Sequence, residues 1–214
     1  MNHLSPTLKL LAASALLVGS GASLATITTF TDQAAFMAAV QLPGVDTYLG
    51  FSLTSPTPSP IVRSAGPYTY QGMVSTTSFF GAGSSVNPAL STNTASDTIT
   101  FGSFGPIPVA AAGGNFFISD INGLFITGSV TVTAVDADGP VAVTINNAVA
   151  TSFRGFVSNG TMTSLTVSAV QPVGAFNWPT VDNLTLGVLA PLVDDVFADG
   201  FESIGVAAPY VSTP

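Results

Sequence analysis

The stretch from Gly128 to Ile145 reads GSVTVTAVDADGPVAVTI and decides the fold class. Apolar and hydroxyl-bearing side chains alternate through both halves with a period of two residues, which is the period of a β-strand with one buried face. Asp138 and Gly139 stand between the halves, and Asp-Gly is a strong signal for a tight hairpin turn. The stretch therefore predicts two antiparallel strands joined by a short turn.

The same period recurs on both sides of this hairpin. The other segments that predict strands are residues 46–53, 68–74, 97–104, 115–121, 152–158, 163–170 and 181–188. The proline-rich residues 56–60 and the glycine-, serine- and asparagine-rich residues 81–96 indicate loops. Many short strands separated by turns predict an all-β protein, an antiparallel two-sheet β-sandwich of jelly-roll type.

Residues 31–40 are the segment that predicts a helix. Thr31 suits the N-cap, and Phe36 and Val40 lie four residues apart on one helical face. Pro43 and Gly44 follow, where a helix should have ended. We therefore expect one short helix near the start of the sandwich.

The chain divides into three regions. Residues 1–25 resemble a secretory signal peptide, with Lys9, an apolar run and small residues ending at Ala25. Residues 26–190 form the predicted β-sandwich domain. Residues 191–214 carry Asp194, Asp195, Asp199 and Glu202 and indicate an acidic C-terminal tail. We expect the protein to be secreted, at the cell surface or in the periplasm.

The predicted mature chain lacks the residue types that most catalytic mechanisms require. The chain has one histidine and no cysteine, and both His3 and its single lysine, Lys9, fall in the signal peptide. No side chain then remains for a Ser-His or Cys-His pair, for a Schiff base, or for a thiolate or imidazole metal site. We therefore expect a protein that is not an enzyme.

The charge limits the partners. After the signal peptide, Arg63 and Arg154 oppose 11 acids, which gives a net charge of −9. Nucleic acids and anionic membranes are held by clustered lysine and arginine, so neither is an expected partner. No segment after the signal peptide offers the roughly 20 apolar residues of a membrane span. Neutral polymers and divalent cations are the partners that this charge does not repel.

Three segments carry a resemblance to a known family. Residues 29–36 (TFTDQAAF), 153–158 (FRGFVS) and 178–187 (WPTVDNLTLG) are similar to the exported bacterial β-sandwich proteins associated with PEP-CTERM sorting. The chain departs from that pattern at its end, where residues 193–202 (VDDVFADGFE) replace the Pro-Glu-Pro motif, apolar helix and basic cluster of the anchor. The resemblance implies association with exopolysaccharide or the cell envelope.

The alternation of the last predicted strand places the Asp182 carboxylate where it needs a cation or hydrogen-bond donors to compensate its charge. In a regular strand it shares a face with Leu184 and Leu186, where an unpaired carboxylate is costly. A structural Ca²⁺ held by Asp182 and Asn183, the guanidinium of Arg154, or backbone amides would each satisfy it. A structural role without metal is the more common outcome for such a carboxylate.

Trp178, which precedes Pro179, is the predicted centre of a ligand site, because aromatic rings stack on the C–H faces of sugars. Phe176, Tyr70 and Arg154 are the other side chains that we assign to ligand binding, although most aromatic residues of a sandwich belong to its core. The predicted function is binding of a polysaccharide or extracellular matrix. The alternatives are a structural envelope or biofilm protein with protein contacts only, and a weak carboxylate-based glycan hydrolase that uses Asp182 or Asp97.

Overall fold

The computed structural model describes residues 26–76 and 78–190. The predicted signal peptide and acidic tail lie outside the described residues. The described part consists of two antiparallel sheets, one of nine strands and one of six, with one short helix. The predicted fold class, a two-sheet β-sandwich with one short helix, is confirmed.

The helix and strands follow one another from the first described residues to the last. Their bounds are β1 (Ile27–Phe30), α1 (Gln33–Ala38), β2 (Val40–Asp46), β3 (Thr57–Pro58), β4 (Ile61–Ala65), β5 (Tyr68–Val74), β6 (Ser78–Ser84), β7 (Asn87–Thr92), β8 (Thr98–Gly105), β9 (Ala111–Ser119), β10 (Phe125–Ile126), β11 (Gly128–Asp136), β12 (Gly139–Ala148), β13 (Phe153–Ser158), β14 (Ser164–Ala169) and β15 (Trp178–Leu189).

The nine-stranded sheet has the order β1-β13-β9-β15-β7-β6-β3, with β10 paired to β9 and β2 paired to β15. The six-stranded sheet has the order β12-β11-β14-β8-β5-β4. The predicted hairpin forms β11 and β12, with Asp136 opposite Gly139 at the turn. Val130, Val132 and Ala134 are completely buried, as the period of two requires.

The main core lies between the sheets and is built from aromatic and branched side chains of both. A second apolar cluster covers the face of the nine-stranded sheet that is turned away from the first core. There α1 places Phe36 against Gly155 of β13, where a Cβ atom would overlap the Phe36 ring. Gly155 is therefore the position that lets α1 pack on the sheet.

The helix is shorter than predicted. Asp32, rather than Thr31, is its N-cap, and the Asp32 carboxylate accepts a 2.7 Å hydrogen bond from the Ala35 N–H. Val40 does not extend the helix but begins β2, which continues through Pro43 and Gly44. Pairing with β15 outweighs the local helical pattern here, because Val40 lies opposite Leu189 in that ladder.

Two segments predicted as loops contain strands. β6 and β7 form a hairpin within residues 78–92, and Ala89 and Leu90 of β7 are completely buried. Thr57 and Pro58 of the proline-rich segment pair with the first two residues of β6 at the sheet edge. No helix in the described part of the chain is long and apolar enough to cross a membrane.

Candidate functional site: a cleft beside Trp178

A cleft opens on the face of the nine-stranded sheet that is turned away from the main core. Its volume is about 230 Å³. Trp178, at the start of β15, lies opposite Ser119, at the end of β9, so that both side chains share this face. The lining residues are Phe80, Gly81, Ala82, Ser91, Thr92, Asn93, Ser119, Asp120, Ile121, Gly123 and Trp178.

Hydroxyl groups from three strands meet beneath the cleft. Thr180 Oγ1 lies 3.0 Å from Ser119 Oγ and 3.2 Å from Ser91 Oγ. The Ser91 hydroxyl donates to the Pro179 carbonyl oxygen at 3.0 Å. All three hydroxyl-bearing residues are buried. Because each hydroxyl has a partner, the floor is polar without an unsatisfied group, and it is fixed in place.

The loop before β15 is held by side-chain hydrogen bonds that position the aromatic residues. The Asn177 N–H donates to Gln171 Oε1 (3.0 Å), and Gln171 Nε2 donates to the carbonyl oxygens of Asn177 (2.7 Å) and Ala95 (3.0 Å). Asn177 is buried, whereas its neighbour Phe176 is 72% exposed. The loop therefore presents Phe176 to solvent two residues before the half-buried Trp178.

The loop after β9 also lines the cleft, through Asp120, Ile121 and Gly123. Asp120 Oδ1 accepts hydrogen bonds from the N–H groups of Asn122 (2.9 Å) and Leu124 (2.8 Å), which fixes the turn. The Gly123 carbonyl accepts a hydrogen bond from the Gly83 N–H, which ties the loop to β6. Ile121 in this loop is 77% exposed. The cleft thus has a rigid polar floor, one half-buried indole and an exposed apolar rim.

The structure separates the other predicted ligand residues from this cleft. Tyr70 is 1% exposed, and its hydroxyl donates to Asp46 Oδ2 at 2.7 Å. The ring belongs to the core, so the structure does not support the assignment of Tyr70 to ligand binding. Arg154 lies on β13 opposite Gly114, on the same face as the buried Phe156, and does not line the cleft.

The predicted position of the Asp182 side chain is also wrong. A β-bulge at Asn183 inserts one extra residue into β15. This strand therefore advances by three residues, from Asp182 to Thr185, while the paired strand β9 advances by two. Directly paired residues share a face, so Asp182 lies on the face of Thr185, and Leu184 and Leu186 lie on the other face. Asn183 accommodates the bulge with a φ of 53°.

The Asp182 carboxylate finds its partners within the bulge. It accepts hydrogen bonds from the Asn183 N–H (2.7 Å) and from Asn183 Nδ2 (3.2 Å), and Asn183 Nδ2 also donates to Asn115 Oδ1 (3.2 Å). No ion pair joins Asp182 to Arg154 in the part of the chain that the structure describes. Within residues 26–76 and 78–190, no three His, Cys, Asp or Glu residues are grouped as a metal site. The Ca²⁺ stays a prediction.

Arg154 is held in a partly apolar position. Its Nε atom is buried and has no hydrogen-bond partner among the described residues. Burial lowers the pKa of its guanidinium. This residue stays a predicted ligand residue that the structure does not bring near Trp178.

Asp182→Asn is expected to stabilise the protein at neutral pH. Burial raises the pKa of the Asp182 carboxyl, the Asn183 N–H opposes this rise, and the charge of Asp46 adds to it. A pKa raised in the folded state means that the ionised carboxylate costs stability at high pH. The amide keeps an acceptor oxygen for the shorter bond from the Asn183 N–H, and it loses only the 3.2 Å bond from Asn183 Nδ2. The variant should therefore melt at a higher temperature at pH 7, and this advantage should disappear at about pH 3.

Thermal unfolding followed by circular dichroism at both pH values, in the presence of EDTA, measures this difference. Asp138→Asn, in the β11–β12 turn, is the matched control, because among the described residues the one hydrogen bond of Asp138 comes from its backbone N–H and none involves its carboxylate. A lower melting temperature of Asp182→Asn at pH 7 in EDTA would contradict the account.

Sequence reasoning missed a charged network that joins β2 to β4 and β5 and does not line the cleft. Arg63 Nε donates to Asp46 Oδ2 (2.6 Å) and Arg63 Nη2 donates to Asp46 Oδ1 (2.7 Å). The guanidinium also lies 5.1 Å from the centre of the Tyr48 ring. A depression of about 470 Å³ beside it is lined by Arg63, Phe51 and proline residues. Because the Arg63 guanidinium is already paired with the Asp46 carboxylate, we infer that this network stabilises the fold rather than binding a ligand.

Comparison with known proteins adds no assignment: no protein-family model matches the sequence, and no curated protein matches it either.

Proposed function

We propose that this protein is a secreted, non-catalytic β-sandwich module that binds a neutral carbohydrate of the extracellular matrix or cell envelope through the Trp178 cleft. The observation that carries the proposal is the placement of a half-buried indole beside polar side chains in a cleft, with the exposed Phe176 two residues before it in the sequence. Aromatic rings offer an apolar surface to the C–H faces of sugars, while neighbouring polar groups bind their hydroxyls.

The size of the cleft supports a short unit of a longer chain. Its volume of about 230 Å³ is below the roughly 300–1,000 Å³ of sites for drug-sized molecules. Asn93 and Asp120 line the opening and offer amide and carboxylate groups to sugar hydroxyls. The net charge of −9 expected after signal removal favours a neutral rather than an anionic polymer.

The arrangement of acids supports binding over hydrolysis. Glycoside hydrolysis generally uses two carboxyl groups on opposite sides of the bond. Among the described residues, Asp120 is the one acid that lines the cleft. Asp97, one of the residues assigned to the hydrolase alternative, is 1% exposed and accepts hydrogen bonds from Ser75 and Thr76. We therefore propose a binding role.

A glycan array probed with the purified protein, with and without EDTA, tests the proposal and identifies the sugar. Binding to a neutral glycan is expected. Trp178→Ala should weaken that binding by about 2 kcal/mol or more, roughly thirtyfold in Kd, because a buried aromatic anchor carries much of the energy of a small site. Loss of binding in EDTA would support the predicted Ca²⁺.

Leu49→Ala is the matched control, since Leu49 is an exposed apolar side chain that does not line the cleft. It should bind as the unsubstituted protein does. Equal binding by Trp178→Ala, or no binding to any neutral glycan, would remove the proposal.

One observation favours the alternative of a structural envelope or biofilm protein. β12 is a ten-residue edge strand, paired on one side with β11. Edge strands offer unpaired backbone groups to other chains. A negative glycan array together with concentration-dependent association in sedimentation velocity would favour this alternative over the carbohydrate proposal.

A further inference from the structure

The outer face of the six-stranded sheet carries a regular array of hydroxyl groups. Cross-strand pairing through β12, β11, β14 and β8 gives two rows of four positions, and seven of the eight are threonine or serine. We call this array the threonine face. Its rows are Thr144-Thr131-Ser168-Thr98 and Ala142-Thr133-Thr166-Thr100.

The threonine face is regular in both directions. β11 and β14 pair over six consecutive residues without a shift in register, and β14 and β8 pair over five. Neighbouring strands lie about 4.8 Å apart, and alternate residues of one strand lie about 6.7 Å apart. The side chains therefore form a two-dimensional grid with these two repeats.

Hydrogen bonds between threonines join the strands across the grid. Thr131 Oγ1 lies 2.9 Å from Thr144 Oγ1, and Thr100 Oγ1 lies 3.3 Å from Thr166 Oγ1. Side-chain ladders of this kind oppose the natural twist of a sheet. They also limit the threonine rotamers, so that neighbouring methyl and hydroxyl groups are held in place.

The chemistry of the threonine face limits the kinds of partner that it can bind. None of its eight residues is charged, and the flanking acids Asp97 and Asp136 are buried and accept hydrogen bonds. An ionic partner has nothing to pair with there. None of the eight is aromatic, so the face lacks the rings on which sugars stack. Its side chains are small, so a second copy would bury little apolar surface on it.

We propose that the threonine face binds ice. Its two repeats are close to the spacings between oxygen atoms on faces of hexagonal ice, and each threonine pairs a hydroxyl, which bonds water, with a methyl group, which orders the water around it. A grid of such groups holds surface waters in an ice-like arrangement that merges with the crystal. This activity is independent of the Trp178 cleft, which lies on the other sheet.

Inhibition of ice recrystallisation by the purified full-length chain tests this proposal. The unsubstituted protein is expected to keep ice crystals small during annealing and to shape single crystals. Thr166→Lys, at an interior strand of the grid, should raise the required concentration by at least roughly tenfold, since a bulky charge cannot be accommodated against the lattice. Thr144→Lys, on the exposed edge strand, should act in the same direction without threatening the fold.

Thr151→Lys is the matched control, because Thr151 is exposed in the turn before β13 and outside the grid. It should retain full activity, and all variants should keep glycan binding at the cleft. Three outcomes would overturn the proposal: no effect of the unsubstituted protein on ice, equal activity of Thr144→Lys and Thr151→Lys, or adsorption to crystalline polysaccharide that Thr144→Lys abolishes while ice is unaffected.

Discussion

Asp46→Ala is expected to lower the free energy of unfolding by about 3 kcal/mol or more, because removing one partner of a buried ion pair leaves the other uncompensated. Asp46 is 5% exposed and sits at the end of β2. Besides the two bonds from Arg63, it accepts hydrogen bonds from the Tyr70 hydroxyl (2.7 Å) and the Tyr48 N–H (2.9 Å). The substitution leaves a guanidinium, a buried phenol and a buried amide without their acceptor.

The same network gives the protein a defined sensitivity to acid. Burial alone would raise the pKa of Asp46, but the hydrogen bonds from Arg63, Tyr70 and Tyr48 outweigh it and lower the pKa below its usual value of 3.8. A lowered pKa in the folded state contributes stability above the unfolded value, and this contribution is lost as the pH falls through the folded value. The difference between the unsubstituted protein and Asp46→Ala should therefore shrink below about pH 4.

Urea denaturation at pH 7 and at a series of lower pH values measures both effects. Asp138→Asn is the control, because this acid lies in the β11–β12 turn and should change the midpoint little. An Asp46→Ala midpoint equal to that of the control at pH 7 would show that the network does not hold β2 against β4 and β5.

Gly44→Ala is expected to destabilise the protein by about 3 kcal/mol, at the upper end of the cost of overpacking a core. Gly44 lies on β2, in the nine-stranded sheet, and it meets the turn between β4 and β5 of the other sheet. A Cβ atom there would overlap the Ala65 carbonyl oxygen and lie 2.9 Å from the Gly66 Cα atom. These are backbone atoms, so the two sheets would have to separate locally.

Gly102→Ala is the matched control for this substitution. Its Cβ atom would lie 3.4 Å from the Thr163 carbonyl oxygen, which is within ordinary contact. Chemical denaturation should therefore give a midpoint close to that of the unsubstituted protein for Gly102→Ala and a much lower one for Gly44→Ala. Equal midpoints for the two variants would contradict the close approach of the sheets at Gly44.

The sequence predicts the strands best where a regular alternation meets a turn signal. β11 and β12 satisfy both conditions, and their burial follows the predicted period. β6 and β7 were missed because glycine, serine and asparagine are typical of loops. Their place in the structure depends on pairing with distant strands: Leu90 lies opposite Val181 of β15. Local composition carries no information about that partner.

The candidate site was predictable only in part. Trp178 beside Pro179 indicated an aromatic residue near a turn, and the structure places it at the cleft. Ser91 and Ser119 reach the same cleft from strands that are distant in sequence, so no spacing rule could bring them together. The face of Asp182 was predicted wrongly because one bulge at Asn183 inverts the alternation.

The Asp46 network left a signal that sequence reasoning could have used. Arg63 is one of only two arginines in the chain, and a scarce cation within a strand is a natural partner for a carboxylate that burial would otherwise penalise. Which of the 11 acids it meets depends on the contact between β2 and β4, which only the tertiary structure gives.

The fluorescence of Trp178 tests the central claim most directly, because it is the only tryptophan in the 214-residue chain. Its emission should shift or be quenched in a saturable way when the purified protein is titrated with the neutral glycan selected by the array, with a midpoint that matches the Kd from calorimetry. A glycan that binds by calorimetry and leaves the emission of Trp178 unchanged would place the binding site elsewhere on the molecule and contradict the account.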